Sequence, residues 1–334
     1  MRHLAFPLVI CTALLGQGVA QYAPKVDPGF QSYAPAIQVE GMVESIGADS
    51  LADVWEEWRL AFRKAQPKAQ FKVAHRPVPQ ALKAFLEGET PLLHLPREMK
   101  VEEVQAFQKK FGYQPTKLVA CYDAFIVFVN AANPIKEMGM DQLDAAYSTT
   151  KLAGYRPDST VETWGDLGIR SGDYTRRPIT AYMRAEGLAS RVTIQEMVLL
   201  KGKYKPTVLE SPDWSGIAEA VMTDASGLGI GTLASWLSRN KTLALIPLHA
   251  KDAVAPNQEN VVSGRYPLSR TYYLYVNRAP GKEVPPAVSE FLAFVRAREG
   301  QSAVAQAMLY PLPLASAQMK RKGRGANRGE TSPK

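Results

Sequence analysis

The chain has 334 residues, 46% of them hydrophobic, and a formal net charge of +8. This composition excludes an intrinsically disordered protein and suits one or two globular domains with a substantial core. Most of the positive charge lies in a Gly-, Lys- and Arg-rich end, residues 316–334, where six basic residues stand against Glu330. We predict a disordered basic tail there and no nucleic-acid partner, with contact to an anionic envelope surface as the functional alternative.

The first twenty residues have the pattern of a secretory signal peptide. Arg2 and His3 precede an apolar run over 4–15, and small residues follow at 18–20. The run is too short to span a bilayer, which takes roughly 20 apolar residues. We therefore predict an exported protein, with residues 1–20 as the signal peptide and a proline-rich, extended lead-in over 21–38.

Cysteine use is sparse. Cys11 lies within the predicted signal peptide, so the mature chain would keep Cys121 alone. A single cysteine excludes an internal disulfide. Because Cys121 lies in the apolar run 118–130, we expect it to be a buried small hydrophobic residue.

Predicted helices and strands alternate from Val39 onward. The predicted helices are 51–62, 79–88, 101–112, 141–148, 191–200, 214–224 and 286–300, and the predicted strands are 71–75, 118–130, 179–183, 227–231 and 270–277. Ser50 and Asp53 predict an N-cap pair for the first helix. Alternation of this kind indicates an α/β protein with parallel sheet, whose ligands bind beyond the carboxyl ends of the strands.

The loop RAEGLAS, residues 184–190, leads directly into the helix predicted at 191–200. Backbone N–H groups and the positive end of the helix dipole favour an anion at such a position. Leu188 lies in the middle of this loop and offers an anion no hydrogen bond from its side chain.

Several blocks of the sequence resemble the phosphate-binding proteins of bacterial ABC importers, and the likeness extends from about Val39 to Leu314. The blocks are 112–135, 164–169, 176–184 and 266–301, with weaker matches at 45–58 and 87–99. They occur in the order that the family has.

The resemblance implies a two-lobed periplasmic-binding-protein fold and a periplasmic location. Each lobe would hold a mixed, mainly parallel sheet flanked by helices, and two hinge strands would join the lobes. Lobe I would comprise 39–130 plus 264–315, and lobe II would comprise 131–263.

The resemblance also implies a site for a small anion between the lobes. Ser50 matches the family's hydroxyl at the start of the first helix, and Arg184 matches the site arginine. Ser190 replaces a threonine, and Glu186 replaces an acidic or small polar residue. The alternatives are structural: Ser50 and Ser190 as helix caps, and Arg184 with Glu186 as a loop salt bridge.

Three departures from the family pattern predict a weakened phosphate site. His75, Arg76 and Val78 lie where the family has a Gly- and Ser-rich loop, Pro91 aligns with an aspartate, and Leu188 aligns with a serine. Each hydrogen bond to a charged group contributes about 1.5–3 kcal/mol, so a micromolar phosphate site would not survive these losses intact. His75 and Arg76 would then serve as polar contacts to a changed ligand.

The sequence leaves two functions open. The first is a solute-binding protein for phosphate or another small solute, with an ABC-transporter permease as membrane partner. The second is an envelope interaction module whose cleft is vestigial and whose partner is a protein.

No pattern in the chain indicates catalysis. His75 and His94 match no zinc motif, and neither a nucleophile elbow nor a Gly-Lys-Ser/Thr phosphate loop is present. We therefore predict a protein that is not an enzyme, with no catalytic residues, no metal ligands and no cofactor.

Overall fold

The computed structural model describes residues 19–156, 158–249 and 252–318. Nearly all of the predicted signal peptide and basic tail therefore lie outside the described residues. Among the residues that are described, no helix has the length and apolar character needed to cross a membrane.

Strands and helices alternate along most of the described chain. The strands are β1 (Met42–Gly47), β2 (Gln70–His75), β3 (Leu92–Leu95), β4 (Thr116–Ala124), β5 (Ile126–Asn130), β6 (Met138–Gly139), β7 (Thr180–Arg184), β8 (Leu209–Ser211), β9 (Gly227–Gly231), β10 (Leu243–Ile246), β11 (Leu248–His249) and β12 (Ser269–Val276). The helices are α1 (Ala52–Ala65), α2 (Val78–Glu87), α3 (Val101–Phe111), α4 (Met140–Tyr147), α5 (Ala189–Met197), α6 (Trp214–Thr223), α7 (Leu233–Leu237), α8 (Gln258–Val262), α9 (Pro286–Val295), α10 (Arg298–Gln306) and α11 (Leu314–Gln318).

Two five-stranded sheets carry the fold. The first has the order β2-β1-β3-β12-β4, and the second has the order β10-β5-β9-β7-β8. In the first sheet β1 runs parallel to β2 and β3, whereas β12 is antiparallel to β3 and β4. In the second sheet β7 runs parallel to β8 and β9, whereas β5 is antiparallel to β9 and β10. The predicted α/β class with two mixed sheets flanked by helices is confirmed.

Each sheet has its own core. Helices cover both faces of the first sheet, with Trp58 and Phe291 buried on one face and Phe85 and Phe107 buried on the other. The second sheet has a separate core that includes the buried Trp164. Because these apolar clusters are distinct, the sheets form two packed units.

The chain passes from the first sheet to the second at Phe125. The predicted strand 118–130 is therefore two strands, β4 and β5. The Asp123 carboxylate accepts the Ala124 N–H at 2.7 Å, and the Phe125 N–H donates to the Leu268 carbonyl at 3.1 Å, so the β4 pairing ends there. We propose that the lobes divide at Phe125 and near Leu268, close to the boundaries expected at Asn130 and residue 264.

The single helix predicted over 286–300 is also two helices. Helix α9 ends at Val295, and α10 begins at Arg298. Gly300 lies within α10 instead of ending the helix, and a Cβ there would collide with the Phe294 carbonyl oxygen. Glycine thus permits the close approach of the two helices.

The lead-in contains turns but no helix or strand in residues 19–38, and it packs against both units. The Tyr22 ring meets the Trp236 ring edge-on at 5.4 Å. Farther along, Phe30 is 1% exposed, and Arg298 Nε donates to the Phe30 carbonyl at 2.9 Å. The segment therefore belongs to the packed structure that we predicted to begin near Val39.

Candidate functional site

The candidate site lies where the carboxyl ends of parallel strands from the two sheets come near each other. Asp49 follows β1 in the first sheet, Arg184 ends β7 in the second, and Asp213 follows β8. The Asp49 and Asp213 carboxylates both act on the pKa of Arg184. Asp49 therefore brings a negative charge from the first sheet to an arginine of the second.

Arg184 is a partly buried cation with an unused hydrogen-bond donor. Its Nε is buried and has no hydrogen-bond partner among the described residues. Burial lowers the pKa of the guanidinium, and the attraction of Asp213 and Asp49 acts in the opposite direction. The side chain stays charged because arginine does not deprotonate in proteins. A buried N–H without an acceptor is uncommon, and an anion would supply one.

Aromatic rings support the Arg184 guanidinium. Its Cζ lies 4.7 Å from the centre of the Trp214 ring, and the Trp214 ring lies 5.7 Å from that of Phe125. The Arg270 guanidinium lies over Phe125 at 3.8 Å. Cation–π contacts thus hold Arg184 in one orientation and connect it to the crossing between the sheets.

Two residues that sequence reasoning did not identify hold the loop after β7. Arg191 donates to the Arg184 carbonyl at 2.7 Å and pairs with Glu210 at 3.1 Å. Glu210 also accepts the Glu186 N–H at 3.1 Å. Glu186 itself is exposed, and no ion pair joins it to Arg184 in the described part of the chain. The loop-salt-bridge alternative is therefore wrong.

Neither predicted serine caps a helix. The N-cap of α1 is Leu51 and that of α5 is Leu188, and neither helix has a side-chain cap hydrogen bond. Ser50 is exposed in a 3₁₀ turn over Asp49–Leu51, and Ser190 is the second residue of α5. The capping alternative is therefore wrong for both, and no side chain in the described part of the chain caps the first N–H groups of α5.

The loop conformation accounts for the residues around Leu188. Gly187 has φ +85°, a left-handed conformation that favours glycine. Leu188 then takes the extended N-cap conformation, with φ −81° and ψ 137°. The backbone thus retains a geometry suited to an anion, while the side chain at the cap has no hydroxyl.

His75 and Arg76 lie at the carboxyl end of β2 and are both exposed. His75 Nδ1 lies 3.2 Å from Nε2 of the buried His94. Arg76 lines a depression of about 220 Å³ together with Gln80 and Glu87 of α2. The two residues therefore face different neighbours, and their role at the site stays a prediction, as does that of Ser50, Glu186 and Ser190.

The PBP superfamily domain model matches residues 32–299. The chain belongs to this family. The phosphate-binding protein PstS of Pseudomonas aeruginosa is 34% identical over 298 residues, covering 89% of this chain and 91% of that protein. The resemblance to phosphate-binding proteins that the sequence blocks indicated is confirmed.

Solved structures of PBP-like proteins share the fold. A possible phosphate binding protein from Planctomyces limnophilus aligns with a TM-score of 0.66 at 19% identity, covering 86% of this chain and 98% of its own. An ABC-type phosphate transport receptor from Vibrio cholerae aligns with a TM-score of 0.64 at 16% identity, covering 81% of this chain and all of its own. The predicted two-lobed periplasmic-binding-protein architecture is confirmed.

Proposed function

We propose that this protein is an exported, periplasmic solute-binding protein that closes on a small anion between its two sheets. An ABC-transporter permease would be its membrane partner, and we propose no enzymatic activity. The observation that carries the proposal is the partly buried guanidinium of Arg184, whose Nε–H has no acceptor among the described residues. The relative at 34% identity is named a phosphate-binding protein, so phosphate is the first anion to test.

Further donors lie close to Arg184 along the chain. The first N–H groups of α5 follow it by five residues and carry no side-chain cap. A helix of nine residues offers these groups and the positive end of its dipole to an anion. The Ser190 hydroxyl, on the first turn of α5, adds a further donor.

Asp49 is our candidate for the carboxylate that the site loses at Pro91. Pro91 replaces the family's aspartate in the sequence, yet the Asp49 carboxylate acts on Arg184 from the first sheet. A carboxylate beside a bound anion favours a ligand that keeps a proton for it to accept. The site therefore favours monohydrogen phosphate over a fully ionised anion of similar size, such as sulfate.

The interaction-module alternative is not favoured. A vestigial cleft would not require a cation with a buried, unpartnered N–H, since such a group costs about 1–3 kcal/mol. The Arg184 guanidinium packs on the Trp214 ring, as expected for a binding site in which a ligand supplies the missing acceptor.

Calorimetric titration of the ligand-stripped protein with phosphate, at pH 6 and pH 8, tests the proposal. Arg184→Ala removes at least one charge-assisted hydrogen bond and the main positive charge, so we expect affinity to fall by roughly 100-fold. Arg184→Lys should restore part of the loss, because it keeps the charge without the planar donors.

Arg176→Ala is the matched control, because Arg176 is an exposed arginine of the same unit. It should bind phosphate as the unaltered protein does. Absence of binding up to millimolar phosphate, or equal binding by Arg184→Ala, would overturn the proposal for phosphate. A matching titration with sulfate shows whether the site prefers a protonated anion.

A further inference from the structure

We propose that His75 and His94 form a binding site for a divalent transition metal of the zinc class, at the carboxyl edge of the first sheet. The two side chains are brought together by three neighbouring parallel strands. Gly47 at the end of β1 pairs in register with His75 of β2 on one side and with His94 of β3 on the other. The imidazoles meet across β1, with ring centres 5.2 Å apart.

Gly47 makes this meeting possible. A Cβ on Gly47 would collide with the His94 ring and with its carbonyl oxygen. The glycine is therefore required by the histidine that lies against it. Trp55 of α1 packs against His94 from above, with ring centres 5.2 Å apart, and His94 is 0% exposed.

A hydrogen-bond partner on Nδ1 orients the His94 ring as a metal ligand. Ser45 Oγ lies 2.8 Å from His94 Nδ1 and 3.4 Å from the Leu92 carbonyl oxygen, so it can accept the Nδ1 proton when its own O–H turns to that carbonyl. With the proton on Nδ1, the lone pair of His94 lies on Nε2, the atom that faces His75. Metal-bound histidines are oriented in this way, with one ring nitrogen on a hydrogen-bond acceptor and the other on the metal.

The distance between the two nitrogens suits a shared metal ion. His94 Nε2 and His75 Nδ1 are 3.2 Å apart. Two nitrogens at about 2.0–2.1 Å from a tetrahedral ion lie about 3.3 Å apart. Without metal, a His94 ring protonated on Nδ1 accepts the His75 Nδ1–H at its Nε2. Metal binding needs the proton of the exposed His75 ring to move to Nε2 and that ring to turn, so that the lone pairs of both nitrogens point to one ion.

Ligand type selects the class of metal. Two neutral imidazoles suit Zn²⁺, Cu²⁺ and Ni²⁺, whereas Mg²⁺ and Ca²⁺ prefer oxygen. In the described residues no group of three or more His, Cys, Asp or Glu side chains is placed to hold a metal. The remaining positions on the ion would therefore be filled by water or by a bound solute. The residue spacing alone had predicted no metal site, because the two histidines meet only through the sheet register.

Zinc titration of untagged, chelator-stripped protein in phosphate-free buffer tests the site. We expect one equivalent of Zn²⁺ to bind and His75→Ala to lower the affinity at least tenfold. His75 is exposed, so the variant should fold normally, and circular dichroism verifies this. With Cu²⁺ in place of Zn²⁺, electron paramagnetic resonance should show two imidazole nitrogens in the unaltered protein and one in the variant.

Two further variants separate this site from other metal binding. His249→Ala, which removes a partly buried histidine of β11, should leave the zinc affinity unchanged. Ser45→Ala should lower it about tenfold, because the hydrogen-bond partner that orients the His94 ring is lost. The proposal is overturned if zinc does not bind, if His75→Ala binds it as well as the unaltered protein, or if His249→Ala loses it equally.

Discussion

Asp123 anchors the crossing between the two sheets through a buried cluster. Its carboxylate accepts from the Arg270 guanidinium and from the Tyr272 hydroxyl, the latter at 2.7 Å. The Asp123 and Arg270 side chains are 4% and 7% exposed. Burial lowers the Arg270 pKa, but the attraction of Asp123 and Tyr272 and the hydrogen bond to Asp123 together raise it above its ordinary value. The two side chains thus form a buried ion pair in which each is the partner of the other.

Asp123→Asn should lower the free energy of unfolding by about 3 kcal/mol, because it leaves the Arg270 charge buried and unpaired. Urea denaturation measures this change. Asp173→Asn removes a carboxylate from the exposed ion pair with Arg177 and should leave the unfolding midpoint unchanged. If the two variants lose similar stability, the pair at the crossing is not the anchor that its burial suggests.

Sequence reasoning identified Arg184 but not the residues that shape its surroundings. Arg184 begins a loop between a predicted strand and a predicted helix, so its neighbours in the sequence were enough to identify it. Asp49 and Trp214 act on it from other strand ends, and only the fold determines that proximity. The same reason explains the pairing of His75 with His94, which depends on both strands lying beside β1.

At the scale of elements, the lead-in packs against the first unit through Tyr33. The Tyr33 hydroxyl donates to the Glu290 carboxylate at 2.6 Å and accepts from Gln66 Nε2 at 3.0 Å. Its ring also meets Phe294 edge-on at 5.4 Å. Burial, together with the bond to Glu290, raises the pKa of the phenol. The hydroxyl therefore contributes a hydrogen bond to each of two buried polar side chains.

Tyr33→Phe should lower the free energy of unfolding by about 1–2 kcal/mol, because Glu290 and Gln66 each lose a partner. Tyr22→Phe is the matched control in the same segment, since Tyr22 makes its contact with Trp236 through the ring. It should be nearly neutral in the same thermal or urea denaturation experiment. If Tyr33→Phe is as neutral as the control, ring packing and not the hydroxyl fixes the segment.

Element positions were mostly predictable from periodicity and end signals. Helices α2 and α3 end at Gly88 and Gly112, both with positive φ, as a glycine after an amphipathic run predicts. The hydrophobic pattern could not predict the break at Phe125. A continuous apolar run has the same pattern whether it forms one strand or two strands in different sheets. The break between α9 and α10 was hidden for a related reason, since both helices keep apolar residues at helical spacing.

At the scale of the whole molecule, alternating strands and helices indicated the α/β class, and the resemblance supplied the two-lobed arrangement. The antiparallel pairings of β12 and β5 could not be derived from local patterns. They arise because the chain crosses between the sheets and later returns, so strands distant in sequence become neighbours. The packed lead-in was missed because its prolines suppress regular structure without preventing burial.

The proposed function requires the two units to move when an anion binds. Spin labels on Lys109→Cys in the first unit and Arg176→Cys in the second should shift to shorter distances in saturating phosphate, as hinge closure predicts. Cys121 should stay unlabelled, because it is fully buried and burial raises its thiol pKa. The pair Lys64→Cys and Lys109→Cys, both within the first unit, should show no shift. Double electron–electron resonance measures both pairs.

Adding Arg184→Ala to the first pair should abolish the shift at the same phosphate concentration, since the charge that holds the anion is gone. Unchanged distances in protein that binds phosphate by calorimetry would contradict closure and leave a rigid binding site.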